Sequence, residues 1–407
     1  MVERSPDSTT CVIAGGGPAG IMLGLLLARA GVAVTVMEKH ADFLGDFRGD
    51  TIHASTRRLL EELGLGEQFA RLPHQDIESV RGPVRGNSAG VEPRRGPRRR
   101  IAKVSQRDFL QLLATAAAAE PTFRLLRSTE VVGPLRQGDR VVGVRYRGPN
   151  GTTRELRADL TVACDGRWST LRSAMGLTPR SFRVPMDLWL FRLPRYPDDP
   201  PELSGMSHIG HRCTTTNRGD YYRIGFRIPK GQDANLRSQG IEALQRDVAS
   251  LVPSLADRVG ELTSFDDVKL LDVQVNRLRK WYAGGILFIG DAAHAMSPAG
   301  GIGVNLAIAD AVAAARILAG PLRDGRLSTR HLARVQIRRV IPAVMVQTVQ
   351  RILHARTDAA LRSGETTGRR PPRLMMTVSQ SAPVRAIFGY VIGVGPFSEH
   401  APTFARR

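Results

Sequence analysis

The sequence predicts an α/β protein that combines a parallel βαβ core, an inserted antiparallel sheet and a C-terminal helical region. Three observations carry this prediction. Residues 11–38 follow a strand, turn, helix, strand pattern; short apolar strands that end in glycine turns recur near residues 160 and 287; and residues 180–277 change to strands with two-residue alternation. The glycine-turn motifs occur both before and after the region of alternating strands, which indicates a discontinuous domain with a sheet domain inserted.

The first βαβ unit is predicted from its composition and its turn signals. Residues 11–14 are short and apolar, and the turn GGGPAG follows them. Residues 21–30 have helical composition, Gly31 ends the helix, and the β-branched run 32–37 is the second strand.

The remaining elements follow from the same signals. A small antiparallel meander is expected where alternating segments are separated by turns at residues 137–139 and 149–151. Further helices are predicted over residues 56–63, 105–118 and 304–318, with mainly helical sequence from about residue 326. Strands are predicted over residues 130–132, 140–146, 153–156, 160–163, 188–193, 221–228 and 287–289.

These elements divide the chain into three predicted parts. The domain with the glycine turns comprises residues 8–75, 101–178 and 279–325; the sheet domain comprises residues 76–100 and 179–278; the C-terminal helical region comprises residues 326–407. A chain of 407 residues with 42% hydrophobic residues has ample material for two or three packed domains.

Composition argues against several classes of protein. The polar N-terminus carries Glu3 and Asp7, and no run of about 18 apolar residues occurs, so neither a secretory signal nor a membrane span is expected. The three cysteines, Cys11, Cys164 and Cys213, include no CxxC pair. A disulfide framework or a zinc site is therefore not expected, no metal site is predicted, and a reducing cytoplasm fits.

The strongly basic charge does not point to nucleic acid. The net charge is +20, and only five of the 58 basic residues are lysines, a skew that fits GC-rich codon usage. The arginines are spread along the whole chain, and aromatic residues make up 5%, too few for an evident base-stacking platform. Nucleic-acid binding is therefore not expected. The sequence carries no signal for an oligomeric state.

The first motif is the glycine pattern Gly15-x-Gly17-x-x-Gly20 between a strand and a helix. Glycines at these positions allow a tight turn, close approach of the backbone to a pyrophosphate, and close packing of helix on strand. The helix N-terminus then offers free N–H groups and a positive dipole end to phosphates. Glu38 ends the second strand, where a carboxylate can accept hydrogen bonds from a ribose.

Two further motifs follow short buried strands. The second is CDGRWSTLR, in which Asp165 and Gly166 open a helix; alone it could be an ordinary helix cap. The third begins with Gly290, Asp291 and His294 and continues through small residues into an Ala-rich helix. Its small residues make a backbone that can lie against a flat ring, and Asp291 is suited to bonding a polyol hydroxyl.

Together, in this order and at these separations, the three motifs resemble those of the class A flavoprotein monooxygenases related to para-hydroxybenzoate hydroxylase. The resemblance covers residues 8–325 and is weaker beyond them. It implies a Rossmann-like FAD-binding domain of the glutathione-reductase type with an inserted substrate-binding sheet. It also implies an oxidoreductase that takes a hydride from NADPH or NADH and uses dioxygen.

The resemblance assigns FAD contacts residue by residue. Arg48 and Arg107 match two family positions near FAD, with Gln106 as a neighbour. The candidates for the catalytic step are Pro298, His294 and Arg48, although a role in bracing its loop is favoured for His294. The matched positions are Gly15, Gly17, Pro18, Ala19, Gly20, Glu38 and Lys39 on the ADP half, Asp165 and Gly166 near the pyrophosphate and NAD(P)H, Gly290 and Asp291 on the ribitol, and Pro298, Gly301, Gly303, Val304 and Asn305 along the isoalloxazine edge.

The chemistry implied by the resemblance is oxygen transfer to an electron-rich carbon. Reduced flavin is expected to react with dioxygen to give a C4a-hydroperoxide, whose distal oxygen is electrophilic. A carbon ortho to a phenol is a favoured partner, and the pocket has to be dry because water drains the hydroperoxide to hydrogen peroxide.

The inserted sheet is expected to roof the substrate pocket. By two-residue alternation Trp189 and Phe191 share one face of their strand, and Tyr222 and Phe226 share one face of theirs. We expect these apolar faces to point toward the flavin, with a plain core face as the alternative. His208 and Tyr222 are the polar candidates for contacting a phenol oxygen. A mainly apolar pocket favours a polycyclic or polyketide-like substrate over a small benzoate.

Other functions stay open or are disfavoured on specific residues. An epoxidase or a Baeyer–Villiger oxygenase on the same fold cannot be separated by sequence. A flavin halogenase should carry Trp-x-Trp-x-Ile-Pro and an active-site lysine, and the strand LWLFRLP is a poor match. A basic binding protein without catalysis is the rival of another class. The arginine run within residues 94–100 is either a solvated face or a docking site for the phosphates of NADPH.

Overall fold

The computed structural model of the chain describes residues 8–43, 51–77, 101–199, 213–362 and 397–407. The strands are β1 (Ser8–Ala14), β2 (Val34–Met37), β3 (Thr51–Ile52), β4 (His74–Ile77), β5 (Ile101–Val104), β6 (Phe123–Leu126), β7 (Glu130–Gln137), β8 (Arg140–Arg147), β9 (Thr153–Ala163), β10 (Arg180–Phe182), β11 (Met186–Pro194), β12 (Cys213–Asn217), β13 (Tyr221–Pro229), β14 (Lys269–Leu271), β15 (Val275–Arg277), β16 (Tyr282–Ala283) and β17 (Ile286–Phe288).

The helices confirm the predicted mixture of α and β structure. They are α1 (Pro18–Arg29), α2 (Ala54–Glu62), α3 (Gly66–Ala70), α4 (Gln106–Ala118), α5 (Thr170–Ala174), α6 (Asp233–Arg237), α7 (Ile241–Leu251), α8 (Ile302–Arg323) and α9 (Thr329–Arg362). The predicted helices at 21–30, 56–63, 105–118 and 304–318 correspond to α1, α2, α4 and α8, and α9 supplies the helical sequence expected after residue 326.

The largest sheet is built around parallel strands in the order β17, β9, β1, β2 and β6. β16 extends its edge, and β7 and β8 join it antiparallel beside the first half of β9. Successive residues of β1 face opposite sides, as strand geometry requires. Cys11 and Ile13 pack into the core formed with α1, α4 and α8, while Val12 and Ala14 pack into a second core on the other side.

The prediction of two separate strands over residues 153–156 and 160–163 is wrong. β9 is one continuous strand of 11 residues, and no glycine or proline interrupts it. Its first half pairs with β8 in the meander, and its second half pairs with β1 and β17 in the parallel sheet. The strand therefore carries the chain directly from the meander to the edge where the Asp165 turn begins.

The inserted region forms the antiparallel sheet that the alternation predicts, with the order β12-β13-β11-β14. The pair β10–β15 lies where the chain enters and leaves this region. The sequence boundaries of the three parts stay a prediction. Ile77 pairs with Ile101 in a small sheet of β3, β5 and β4, which joins the two sides of residues 78–100.

The helix α8 bears on the expectation that the chain has no membrane span. The helical segment Ala299–Arg323 is long and apolar enough to cross a membrane by length and composition, and 78% of its most apolar window is buried inside the protein. The core helix of a folded protein passes the same test, so this property is weak evidence for a span. The expected absence of a membrane span stays a prediction.

Candidate active site

The three motifs begin at one edge of the parallel sheet. Because parallel strands place their carboxyl ends on the same side, the turns that start at Gly15, Asp165 and Gly290 emerge together, and Glu38 joins them. The strand register fixes this arrangement, because the last residues of β2, β1, β9 and β17 lie side by side as Met37, Ala14, Ala163 and Phe288.

The first turn can be built only with glycine at two positions. Gly15 has a φ of +102°, and a Cβ added there would lie 2.4 Å from the Cys164 carbonyl oxygen. A Cβ on Gly20 would lie 1.9 Å from the Gly15 carbonyl oxygen, so α1 packs directly on the turn. Gly17 is different, because a Cβ there would meet no atom of the described residues within 4 Å. The space beside Gly17 is therefore open to a ligand.

The Gly15 and Asp165 turns and the end of β2 enclose a cleft of about 350 Å³ beside the N-terminus of α1, and the residues of the third motif do not line it. Gln106 also lines it, whereas the side chain of the neighbouring Arg107 is exposed. The first residue of α4 thus faces the cleft and the second faces solvent, and the FAD contact of Arg107 stays a prediction. Of the predicted cofactor residues, the cleft is lined by Gly15, Gly17, Glu38, Lys39, Asp165 and Gly166, while Pro18, Ala19 and Gly20 begin α1 beside it.

Glu38 is fixed at the end of β2 by two backbone groups. Its Oε2 accepts a hydrogen bond from the Gly16 N–H at 2.8 Å, and its Oε1 accepts one from the His40 N–H at 2.9 Å. A carboxylate oxygen can accept more than one hydrogen bond. The side chain thus braces the glycine turn and keeps acceptor capacity at the cleft for a ribose hydroxyl.

Asp165 carries a buried oxygen that has no partner. Its Oδ2 accepts from the Leu171 N–H at 3.1 Å, but its Oδ1 makes no hydrogen bond within the described residues. Burial raises the pKa of this carboxyl above its ordinary value. A buried polar atom without a partner is costly, and one at the wall of a cleft fits a site whose ligand supplies the missing hydrogen bond.

An arginine missed by the sequence reasoning joins the second and third motifs. Arg167 Nε donates to Asp291 Oδ2 at 2.9 Å, and its other nitrogens donate to the carbonyl oxygens of Asp272 at 3.1 Å and Met296 at 3.2 Å. Arg172 donates to the Ala292 carbonyl oxygen at 2.9 Å. The two arginines therefore hold the Asp291 turn against the Asp165 turn, with the Asp291 carboxylate partly exposed beside the cleft residue Arg167.

The loop of the third motif is held in place by hydrogen bonds of the Asn305 side chain. Asn305 Nδ2 donates to the carbonyl oxygens of Thr51 at 2.9 Å and Gly301 at 3.1 Å, and its Oδ1 accepts from the His53 N–H at 2.9 Å. The Asn305 side chain thus positions the loop through its own hydrogen bonds. Pro298, Gly301, Gly303 and Val304 remain partly exposed along the loop and the first turn of α8, where they can meet a flat ligand.

The helix α9 holds the other side of this loop. Gln350 accepts from the Ser297 N–H at 3.0 Å and donates to the carbonyl oxygens of Ser297 at 2.9 Å and Ala299 at 3.1 Å. His354 Nε2 lies 3.0 Å from Ser297 Oγ. The C-terminal region therefore shapes the backbone on both sides of Pro298, a role that the sequence did not reveal.

His294 lies in a buried charged cluster behind the loop. Its Nε2 is 2.6 Å from Asp310 Oδ2, which also accepts from the Gly290 N–H at 3.1 Å, while Arg339 Nε donates to Asp310 Oδ1 at 2.8 Å. Burial would raise the pKa of Asp310, but His294 and Arg339 hold that pKa below its ordinary value. His294 is 1% exposed. This geometry favours the bracing role over catalysis for His294.

The predicted substrate face of the inserted sheet is wrong. Trp189, Phe191, Tyr222 and Phe226 are buried in a core closed by α7 and the turns that follow it. This is the plain core face considered as the alternative, because α7 covers the side of the sheet that carries these residues. Arg227 alternates to the opposite face of this sheet. His208, Arg48 and the arginine run at 94–100 lie outside the described residues.

The residues present fit FAD. Open space beside Gly17 at a helix N-terminus suits a pyrophosphate, Glu38 is set for a ribose, and the Asp165 oxygen has no partner among the described residues. The groups that could hold a metal ion form no cluster in the part of the chain that the structure describes. The fold and the site together define a flavin-dependent oxidoreductase.

Comparison with known proteins agrees with this class. Residues 8–349 match the family described as FAD binding domain, and the chain belongs to that family. It is 33% identical over 385 residues to a 6-methylpretetramide 4-monooxygenase of Streptomyces rimosus, with 93% of this chain and 90% of that protein covered. It is 25% identical over 349 residues to a protoasukamycin 4-monooxygenase of Streptomyces nodosus subsp. asukaensis, covering 80% of this chain and 84% of that protein.

A solved structure supports the fold. An anhydrotetracycline hydroxylase of Streptomyces rimosus superposes with a TM-score of 0.76 at 23% identity, covering 98% of this chain and 79% of that one. The chain is an FAD-dependent monooxygenase that uses NAD(P)H, and the resemblance read from the three motifs is confirmed.

Proposed function

We propose that this enzyme hydroxylates an electron-rich ring of a polycyclic aromatic polyketide. The observation that carries the proposal is the 33% identity, over 93% of the chain, to a monooxygenase named for 6-methylpretetramide. The matched length includes α9 as well as the FAD-binding motifs, so the likeness extends to the region beside the substrate. The same proposal places the reaction in a reducing cytoplasm, because Cys11, Cys164 and Cys213 are free thiols.

The cofactor half of the reaction depends on the residues already described. Bound FAD would take a hydride from NAD(P)H and activate dioxygen for transfer of one oxygen atom to an electron-rich carbon. The Gly17 turn and Glu38 would bind the ADP half, and Asp291, oriented by Arg167, would bind the ribitol. The N-terminus of α8 would place its positive dipole end beside the flavin ring.

The substrate half is proposed to use the face of β13 opposite the buried aromatic core. Arg227 alternates to that face, and its side chain makes no hydrogen bond or ion pair within the described residues. Burial lowers the pKa of Arg227. The positive charge of Arg227 also adds to burial in lowering the pKa of His354, which supports a position of Arg227 on the His354 side of the sheet. His354 in turn contacts Ser297, next to Pro298.

This placement gives Arg227 a chemical role. A guanidinium beside a phenol stabilises the phenolate, and a phenolate ring is richer in electrons at its ortho carbon than the neutral phenol. Arg227 would therefore orient an acidic hydroxyl of the substrate and raise the reactivity of the neighbouring carbon. Ser297 and His354 would close the pocket beside Pro298 and limit the entry of water.

The test is NADPH oxidation by the FAD-loaded protein against a panel of phenols and polycyclic aromatic polyketides, with product mass and hydrogen peroxide followed together. We expect substrate-stimulated oxidation and a product that gains one oxygen atom. Turnover confined to small benzoates would contradict the proposed substrate class. Oxygen inserted beside a ketone, or an epoxide product, would contradict the proposed reaction.

A further inference from the structure

Three arginines from three different elements converge on one aromatic ring. The guanidinium carbons of Arg180 on β10, Arg277 on β15 and Arg351 on α9 lie 5.4, 5.7 and 4.6 Å from the centroid of the Phe182 ring. None of these three arginines forms an ion pair with a carboxylate in the described ranges of the chain. We call Arg180, Arg277, Arg351 and Phe182 the arginine cluster.

The arrangement is unfavourable for the protein alone. Arg180 and Arg277 are directly opposite each other in the antiparallel pair β10–β15, where like charges destabilise a sheet. Burial lowers the pKa of Arg277, and the charges of Arg180 and Arg351 lower it further. A short two-stranded sheet that concentrates positive charge without a carboxylate fits a site whose neutralising anion comes from a ligand.

The cluster lies close to the flavin loop. Arg277 donates to Gln347 Oε1 at 2.7 Å, and Gln347 Nε2 donates to the Ala295 carbonyl oxygen at 3.1 Å, three residues before Pro298. Arg351 stands on α9 next to Gln350, which binds the same loop. A ligand held by the cluster is thus within the length of a dinucleotide of the proposed flavin ring.

We propose that the arginine cluster binds the phosphoryl groups of the reduced nicotinamide nucleotide. Arginine is suited to phosphate because its planar fork of donors matches the phosphate oxygens, and guanidinium planes can also stack on an adenine. Other anions are less well suited, since a single carboxylate would not neutralise three cations. This inference rests on the proposed function, because it names the docking site of that enzyme's electron donor.

The experiment compares Arg180→Gln, Arg351→Gln and the double variant with Arg330→Gln in FAD-loaded protein. Arg330 is an exposed arginine on the same helix α9 and provides the matched loss of one charge. Anaerobic flavin reduction gives the half-saturating concentrations of NADPH and NADH, and calorimetry gives the affinities of 2′,5′-ADP and 5′-ADP. We expect each cluster variant to weaken NADPH binding about 3- to 10-fold, the double variant more, and Arg330→Gln less than 2-fold.

The pattern of losses identifies the phosphate concerned. A loss for NADPH and 2′,5′-ADP alone assigns the cluster to the 2′-phosphate, and an equal loss for NADH and 5′-ADP assigns it to the pyrophosphate. Half-saturation unchanged by the double variant overturns the proposal. If the cluster variants weaken NADPH binding as expected but the wild-type enzyme forms no hydroxylated product, the proposed function is overturned and the docking site stands.

Thermal stability separates this role from a structural one. Because Arg180 and Arg277 repel each other across the strands, Arg180→Gln should keep or raise the melting temperature while it weakens NADPH binding. A lower melting temperature with unchanged nucleotide affinity would mean that Arg180 only supports the fold.

Discussion

Replacement of His53 by glutamine should remove part of the acid sensitivity of the protein. His53 is fully buried in front of α2, and its Nε2 donates to the Gly300 carbonyl oxygen at 3.3 Å. Its Nδ1 is buried and has no hydrogen-bond partner among the residues that the structure describes. Protonation at Nδ1 would place a charge and an unpaired donor in a dry site, so burial lowers the pKa of His53 from 6.5 to about 4.

The sign and size of the effect follow from this shift. The unfolded chain takes up a proton as the pH falls through 6.5, whereas the folded chain does so only near pH 4, so stability falls in this window. Between neutral pH and about pH 5 the loss from this one group is about 2 kcal/mol. His53→Gln keeps a donor for the Gly300 carbonyl oxygen but cannot take up the proton.

Urea titrations at several pH values between 7 and 5 measure this difference. Between pH 7 and pH 5 the free energy of unfolding of the variant should fall by about 2 kcal/mol less than that of the wild type. His331→Gln, which removes a partly exposed imidazole from the start of α9, is the control for loss of a histidine as such. Parallel slopes for wild type and His53→Gln would refute the argument that buried His53 stays neutral.

Three further predictions concern other positions. Gly20→Ala should prevent stable folding because its Cβ would meet backbone at 1.9 Å, whereas Gly17→Ala should fold with an unchanged melting temperature and hold less FAD, as read from the flavin absorbance per protein. Asp310→Asn should lower the free energy of unfolding by roughly 3 kcal/mol, because it breaks a buried ion pair, and a urea titration checks this. Phe226→Ala should destabilise the inserted sheet by about 3 kcal/mol with little change in substrate KM. Arg227→Gln should instead raise substrate KM about tenfold with little change in stability. The opposite pattern would mean that the substrate binds at the aromatic face.

The parts of the site that follow strands could be predicted because their signals are local. A short apolar strand, a glycine where the turn needs it, and a carboxylate at the next strand end are readable from neighbouring residues. Gly15, Glu38 and Asp165 were placed in this way, and the register of the parallel strands brings them together. The division of residues 153–163 into two strands is wrong because the segment contains no glycine or proline that would end the first strand.

The parts that depend on distant partners could not be predicted. Two-residue alternation correctly groups Trp189 with Phe191, but it cannot say whether α7 or the flavin covers that face. Arg167 matters through Asp291, which is 124 residues away in the chain, and among so many arginines it carries no distinguishing signal. The one local signal for Arg167 is its position directly after an Asp-Gly turn that follows a buried strand.

The order of strands in the parallel sheet also sets when the cofactor site can form during synthesis. β1, β2 and β6 come from the first third of the chain, but β17 must still add to the outer side of β9 before the Asp291 turn can pack against Arg167 beside the cleft. A ribosome-bound chain that ends before residue 288 lacks the Asp291 turn, and the loop contacts of α9 arrive later still. Capture of FAD is consequently a late event in folding, and until then the nascent chain relies on its own packing, or on chaperones, for protection from aggregation.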